Sequence, residues 1–182
     1  LPRGFVLTDA GYGNDTDFRT GLTALGLIYA VGIQSSTTVW APGTRPLPPK
    51  PWSGKGRRPT RLRRDDDHQP VPVQDLALSL PASQWRSVTW REGTNTPRRS
   101  RFASVRVPAA HRDDERAELR AEEWLLIEWP DSEAEPTKYW LSTLPADTPL
   151  QDLVAAAKGR WRIERDYQEL KQEIGLGHYE GR

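Results

Sequence analysis

Residues 41–60 hold six prolines, Pro42, Pro46, Pro48, Pro49, Pro51 and Pro59. Each fixes φ and removes a backbone donor, so neither an α-helix nor a central strand crosses this stretch. The charge here is also one-sided. From 45 to 64 stand Arg45, Lys50, Lys55, Arg57, Arg58, Arg61, Arg63 and Arg64, with no acidic residue. The whole chain carries a formal net charge of only +1. Taken alone, that average argues against a polyanionic partner, yet it conceals a basic segment within a net acidic remainder. The segment reads as an extended, mobile loop closed by Asp65-Asp66-Asp67-His68. Those acids read as local neutralisation of the arginines rather than a metal cluster, because consecutive side chains of an extended loop point apart.

The flanks have regular periodicity. Residues 4–8 predict a short buried strand that runs into a glycine-rich turn at Asp9-Ala10-Gly11-Tyr12-Gly13-Asn14. Phe18, Leu22 and Leu25 then fall at helical spacing, with Gly26 placed as a C-terminal cap. Residues 27–33 predict a second buried strand. Strand, helix and strand in close succession imply a parallel pair, and functional groups in such sheets sit at the carboxyl ends of strands, where Asp9 lies. An Asp before a Gly-rich turn is equally ordinary turn chemistry. Past the loop, 74–80 predicts a short helix and the texture turns to β. Strands are expected at 84–91 and 101–107 around a basic turn Arg98-Arg99-Ser100-Arg101. A solvated loop follows at 111–123, then strands at 124–129 and 138–143.

The last element is a long helix, entered through a capping box of Thr148 and Gln151 with Pro149 at its first position, and running to about Gly175. One face carries Ile163, Tyr167, Leu170 and Ile174. Ala157, Arg160, Glu164, Gln168 and Lys171 share a neighbouring face, with Arg160 and Lys171 ~16 Å apart along the axis. This spacing has two readings. It is either a solvated face with weak ion pairs, or a metal-binding carboxylate flanked by phosphate-contacting cations. Among the eight tryptophans, Trp124 and one face of 84–91 read as core. Strand alternation sends Tyr139 and Trp140 to opposite faces, and an aromatic left in solvent beside basic groups can stack an unpaired base.

Several chemistries are excluded. Zero cysteines remove disulfides, thiol nucleophiles and Cys-type metal sites, and fit a cytoplasmic location. No apolar run is long enough to span a membrane. There is no phosphate loop, and His111 and His178 lack partners at ligand spacing; Ser/His/Asp catalysis stays open, although no nucleophile elbow is present. The chain has no methionine and opens at Leu1, which reads as a processed chain or a fragment.

The block Arg160-Trp161-Arg162-Ile163-Glu164, with Lys171 seven residues beyond the glutamate, resembles the C-terminal signature of DDE transposases of bacterial insertion sequences, Tyr-x2-Arg-x3-Glu-x6-Lys on a helix. The opening Leu7-Thr8-Asp9-Ala10-Gly11-Tyr12-Gly13 resembles the segment carrying the second catalytic Asp of that family. The ending Gly175-Leu176-Gly177-His178-Tyr179-Glu180-Gly181-Arg182 resembles one branch, the DDE superfamily endonucleases. The resemblance covers essentially the whole chain. It implies an α/β fold, a partial RNase H-like catalytic core with a mainly β insertion. Residues 1–34 would begin the core. Residues 35–145 would form the insertion, with the Pro/Arg loop at 41–64, and 146–182 would supply the catalytic helix.

By position, the resemblance makes Asp9 and Glu164 metal-binding catalytic residues for Mg²⁺ or Mn²⁺. Arg160 and Lys171 become contacts to DNA at transposon ends. Tyr139 or Trp140 becomes the aromatic that holds a flipped base, and the parent enzyme could be a homodimer. The signature Tyr falls on Ala157, so that contact is absent or supplied elsewhere. The family's first catalytic Asp and a DNA-binding region would lie upstream of Leu1, so the chain alone is expected not to cleave DNA. A second reading is a non-catalytic DNA-binding remnant or regulator. It would bind through the loop arginines Arg57, Arg58, Arg61, Arg63 and Arg64 and the Arg160/Lys171 face, with affinity falling steeply in salt. A third is a polar domain with ordinary ion pairs, in which the carboxylates of Asp9 and Glu164 lie beyond the ~8 Å that shared metal ligation tolerates.

Overall fold

The computed structural model describes residues 4–90 and 97–159. Strand β1 (Phe5–Thr8) leads through helix α1 (Ala10–Gly13) and helix α2 (Thr16–Ala24) to β2 (Ile28–Ile33). β1 and β2 pair in parallel, with Thr8 opposite Val31, as the strand–helix–strand pattern predicts. The Asp9–Asn14 stretch differs from the expected turn. It forms the short helix α1, because Asp9 caps it and Gly13 allows it to lie flat on β2.

α2 begins at Asp15, whose Oδ1 accepts the N–H groups of Asp17 at 2.8 Å and Phe18 at 3.3 Å. Asp15→Ala removes both acceptors and is expected to lower unfolding stability by about 1 kcal/mol in a urea titration. The helix ends at Gly26, whose φ of +66° suits a residue without a Cβ. The Leu27 N–H returns to the Leu22 carbonyl at 3.0 Å and closes the cap. The predicted apolar stripe is only partly buried: Leu22 is core, whereas Leu25 stands 69% exposed. Arg19 lies within the buried face instead, donating to the Gly13 carbonyl and to Thr16 Oγ1.

After β2 come the two-residue strands β3 (Thr38–Val39) and β4 (Val71–Pro72), paired with each other, and helix α3 (Val73–Ser79). β5 (Arg86–Trp90), β6 (Arg98–Val107), β7 (Glu123–Trp129) and β8 (Lys138–Ser142) then form an antiparallel meander, followed by α4 (Leu150–Lys158). β8 pairs antiparallel with β2, so a single sheet of order β1-β2-β8-β7-β6-β5 runs through both flanks of the proline-rich segment.

Strand alternation divides the core between the two faces. Tyr29, Val31, Ile33, Val105, Val107, Leu125, Ile127, Tyr139 and Leu141 meet Leu22 of α2 and Val73, Leu76 and Ala77 of α3. Phe102, Leu126 and Val88 meet Leu153, Val154 and Ala157 of α4 on the other face, with Trp90, Trp124 and Trp140 packed around them.

Four local expectations are corrected. Arg98–Arg101 is the start of β6 rather than a turn, because those residues pair with β5. Trp124 is half-buried, its Nε1 donating to the Pro145 carbonyl at 2.9 Å. Among the described residues the fully enclosed tryptophan is Trp40. No capping box forms at α4: Pro149 occupies the cap position without a side-chain hydrogen bond. The predicted continuation of that helix over 160–175 lies outside the described residues.

The fourth correction concerns the proline-rich segment and 111–123. Leu47 and Arg63 exchange backbone hydrogen bonds at 2.8 and 2.9 Å, and the Leu62 N–H reaches the Arg116 carbonyl at 2.8 Å. The loop is therefore tied at its base. Asp113, expected in a solvated loop, is fully buried; it accepts from Trp40 Nε1 at 2.5 Å and pairs with Arg64. Among the described residues, no helix is long and apolar enough to cross a membrane.

Candidate active site

Asp9 stands one residue past the carboxyl end of β1, in extended backbone with φ −83° and ψ −177°. Its Oδ1 accepts the Gly11 N–H at 3.0 Å and its carbonyl accepts the Gly13 N–H at 2.8 Å, so the aspartate is fixed by the helix it caps. The side chain is exposed at a cleft of about 470 Å³. The small residues Ala30 and Gly32 of β2, Lys138 and Trp140 of β8, and Ala157 and Lys158 of α4 share its lining.

Gly32 sets how closely Asp9 approaches the sheet. A Cβ there would lie 3.0 Å from the Ala10 nitrogen and 3.2 Å from the Asp9 carbonyl carbon. Gly159, the last described residue, packs similarly close to β1: a Cβ on it would sit 3.4 Å from Leu7 Cδ1. The chain therefore enters its final segment from a point beside the strand that presents Asp9.

Lys158 closes the cleft. Its Nζ lies 2.6 Å from Glu128 Oε2, with both side chains almost fully buried. Trp90 and Trp140 wall it, their ring centroids 4.5 and 5.2 Å from the ammonium. Ser100 Oγ donates to the other Glu128 oxygen at 3.1 Å. Sequence reasoning missed this pair. Its signal was a lysine continuing the apolar stripe of Leu150, Leu153 and Val154, and a glutamate inside the run Trp124-Leu125-Leu126-Ile127-Glu128-Trp129. Opposite charges that interrupt two apolar runs are candidates for each other.

The structure separates the aromatic candidates. Tyr139 is a core residue, 3% exposed, with its hydroxyl donating to the Pro136 carbonyl at 2.9 Å. Burial raises its pKa above the usual tyrosine value. Tyr139 packs into the core on the α2 face of the sheet while also bordering the cleft, so little of its ring is open to stack a base. Trp140, on the α4 face, is half-buried and contributes to the cleft.

Arg57, Arg58, Arg61 and Arg63 line a separate surface hollow of about 380 Å³ together with Lys50. Arg64 is engaged elsewhere, in the Asp113 pair and a 2.8 Å hydrogen bond to the Ala110 carbonyl. Asp65 pairs with His68 at 2.7 Å instead of with the arginines, and that hydrogen bond holds its carboxyl below the ordinary value. Among the described residues no three His, Cys, Asp or Glu side chains gather as a metal cluster. Arg160, Glu164 and Lys171 lie outside the described residues.

A family model described as DDE superfamily endonuclease matches residues 1–97. The match takes in β1, Asp9, α2, β2 and the basic loop. No curated protein matches the chain.

Proposed function

The chain belongs to the DDE superfamily endonucleases, RNase H-like proteins associated with transposase-type DNA cleavage and divalent metals, and we propose that its Asp9 and Glu164 are two carboxylates of one such metal-dependent site. The observation that supports this most is the cleft itself. Asp9 opens onto it from the end of β1, and the end of α4 forms its other wall. Glu164 is five residues beyond Gly159, a separation that caps its Cα within roughly 18 Å of that wall in any backbone conformation.

The donor chemistry at Asp9 fits Mg²⁺ or Mn²⁺, which take hard carboxylate oxygens. Among the described lining residues Asp9 is the only acid, so a second carboxylate is required, and Glu164 is the residue assigned. The bound ions would activate water and stabilise charge on the phosphodiester oxygens. The protein's own groups would bind and orient the DNA. Lys138 supplies positive charge in the cleft, Arg160 and Lys171 contact the transposon end, and the half-buried Trp140 ring can stack a base. Arg57, Arg58, Arg61 and Arg63 extend the contact to the DNA backbone.

The absence of native cysteines makes the test direct. Asp9→Cys with Glu164→Cys is expected to crosslink through a short bifunctional thiol reagent. Thr89→Cys with Arg99→Cys, direct partners across β5 and β6, serves as the control. In parallel, Asp9→Asn and Glu164→Gln should each weaken Mn²⁺ binding at least tenfold. A crosslink in the control pair alone, with Mn²⁺ binding unchanged by both substitutions, would favour the non-catalytic DNA-binding reading.

A further inference from the structure

A second hollow, of about 300 Å³, opens on the sheet face that carries α2, between that helix and the segment preceding β7. Arg19, Arg116 and Arg120 line it, together with Thr20, Tyr29 and Glu123. Arg19 and Glu123 are buried, 4% and 6% exposed. Glu123 Oε2 accepts the Tyr29 hydroxyl hydrogen at 2.8 Å. Among the described residues, no arginine of the hollow comes within ion-pairing distance of that carboxylate.

Arg120 is incompletely satisfied. Its terminal nitrogens make long contacts, 3.3 Å to Thr20 Oγ1 and 3.4 Å to the His111 carbonyl, and its Nε is enclosed without a partner. Burial, then the neighbouring Arg116 and Arg19, depress the Arg120 guanidinium below its ordinary value, while burial pushes the Glu123 carboxyl up. Glu122, which also lines the hollow, faces Arg106 at 4.0 Å, and nearby Asp17 faces Arg112 at 3.3 Å. The wall thus combines three guanidinium groups, Arg19, Arg116 and Arg120, with two carboxylates, Glu122 and Glu123, an excess of positive charge.

We propose that this hollow binds a phosphate-type oxyanion, its charged oxygens accepting from Arg116 and Arg120 and a protonated oxygen donating to Glu123. A planar carboxylate would satisfy the arginines but offers no hydrogen to Glu123; a phosphate bearing one O–H does both. The Leu62 N–H to Arg116 carbonyl bond ties this rim to the basic loop, so the phosphate can come from solution or from a nucleic-acid end. The site depends on neither Asp9 nor Glu164.

The test is calorimetric titration of the full chain in metal-free buffer with inorganic phosphate, and separately with one oligonucleotide carrying or lacking a 5′-phosphate. Arg116→Ala and Arg120→Ala should each weaken phosphate binding at least about tenfold, the loss of about 1.4 kcal/mol of binding free energy. Arg120→Lys should lie between, and Thr89→Ala, outside the lining of the hollow, should bind as the parent. If inorganic phosphate binds and the arginine variants lose it, the site takes a free oxyanion. If only the 5′-phosphorylated oligonucleotide gains affinity, and Arg116→Ala erases that gain, the site takes a nucleic-acid phosphate. Should Arg120→Ala fail to fold, Thr20→Val and Arg116→Ala carry the comparison. Phosphate affinity unchanged in the folded variants, or no binding in either arm, overturns the proposal.

Discussion

Lys158→Met is expected to lower the unfolding free energy by about 3–5 kcal/mol, the usual result of stranding one member of a buried ion pair. The methionine nearly preserves volume and keeps contact with Trp90 and Trp140, so the loss reports charge rather than packing. Glu128 would be left 2% exposed with Ser100 as its remaining described hydrogen-bond donor. For a chain of this size the melting temperature should fall by roughly 10 °C. The pair itself is a different matter, because removing two charges from water is costly and their attraction only returns that cost. Lys158→Met combined with Glu128→Leu should therefore recover most of the stability. Urea unfolding of both single variants and the double variant decides it. Single losses below 1 kcal/mol would mean that water reaches the pair. Recovery in the double variant would identify the pair as a device of placement, holding the end of α4 against the cleft, rather than a source of net stability.

Gly13→Ala is expected to destabilise by about 3 kcal/mol, at the upper end of overpacking costs. Gly13 has no positive φ, so the backbone would accept alanine, and helix propensity alone would favour it. The obstacle is contact. A Cβ at Gly13 would lie 2.0 Å from the Gly32 carbonyl oxygen and 2.9 Å from Val31 Cβ. Neither neighbour is a flexible side-chain end, so α1 must lift from β2, and Asp9, which caps α1, must move with it. Gly21→Ala provides the opposite sign. Gly21 is exposed inside α2 and its added Cβ meets nothing within 4 Å. That substitution should stabilise by about 0.5–1 kcal/mol through helix propensity. Equal effects at the two positions would show that α1 does not rest on β2 through Gly13. If Asp9 belongs to the catalytic site, Gly13→Ala should also weaken Mn²⁺ binding, whereas Gly21→Ala should not.

The sequence and the structure agree where a short window holds the whole signal. β1, α2, β2 and α3 were legible because burial at period 2 or 3.6 needs only a few neighbouring residues. The position of Asp9 after β1, and the glycine cap at Gly26, were legible for the same reason, although β1 is only partly buried and its Phe5 is exposed. Arg98–Arg101 was misread because four polar residues resemble a turn until a partner strand is known. The basic loop was misjudged because its ties, Leu47 to Arg63 and Arg64 to Asp113, join residues far apart along the chain.

The sequence by itself determined the alternation of strands and helices, the interruption by proline, and the three segments that resemble DDE enzymes. Those are local properties, set by backbone sterics, side-chain periodicity and residue order. Only the tertiary structure decided that Tyr139 is core while Trp140 is half-buried at the cleft, though both border it, since alternation assigns opposite faces without saying which face α4 covers. It alone revealed Lys158 with Glu128, and the hollow around Arg120 and Glu123. In each case the partners are distant in sequence, and their energetics depend on which charges folding removes together from water.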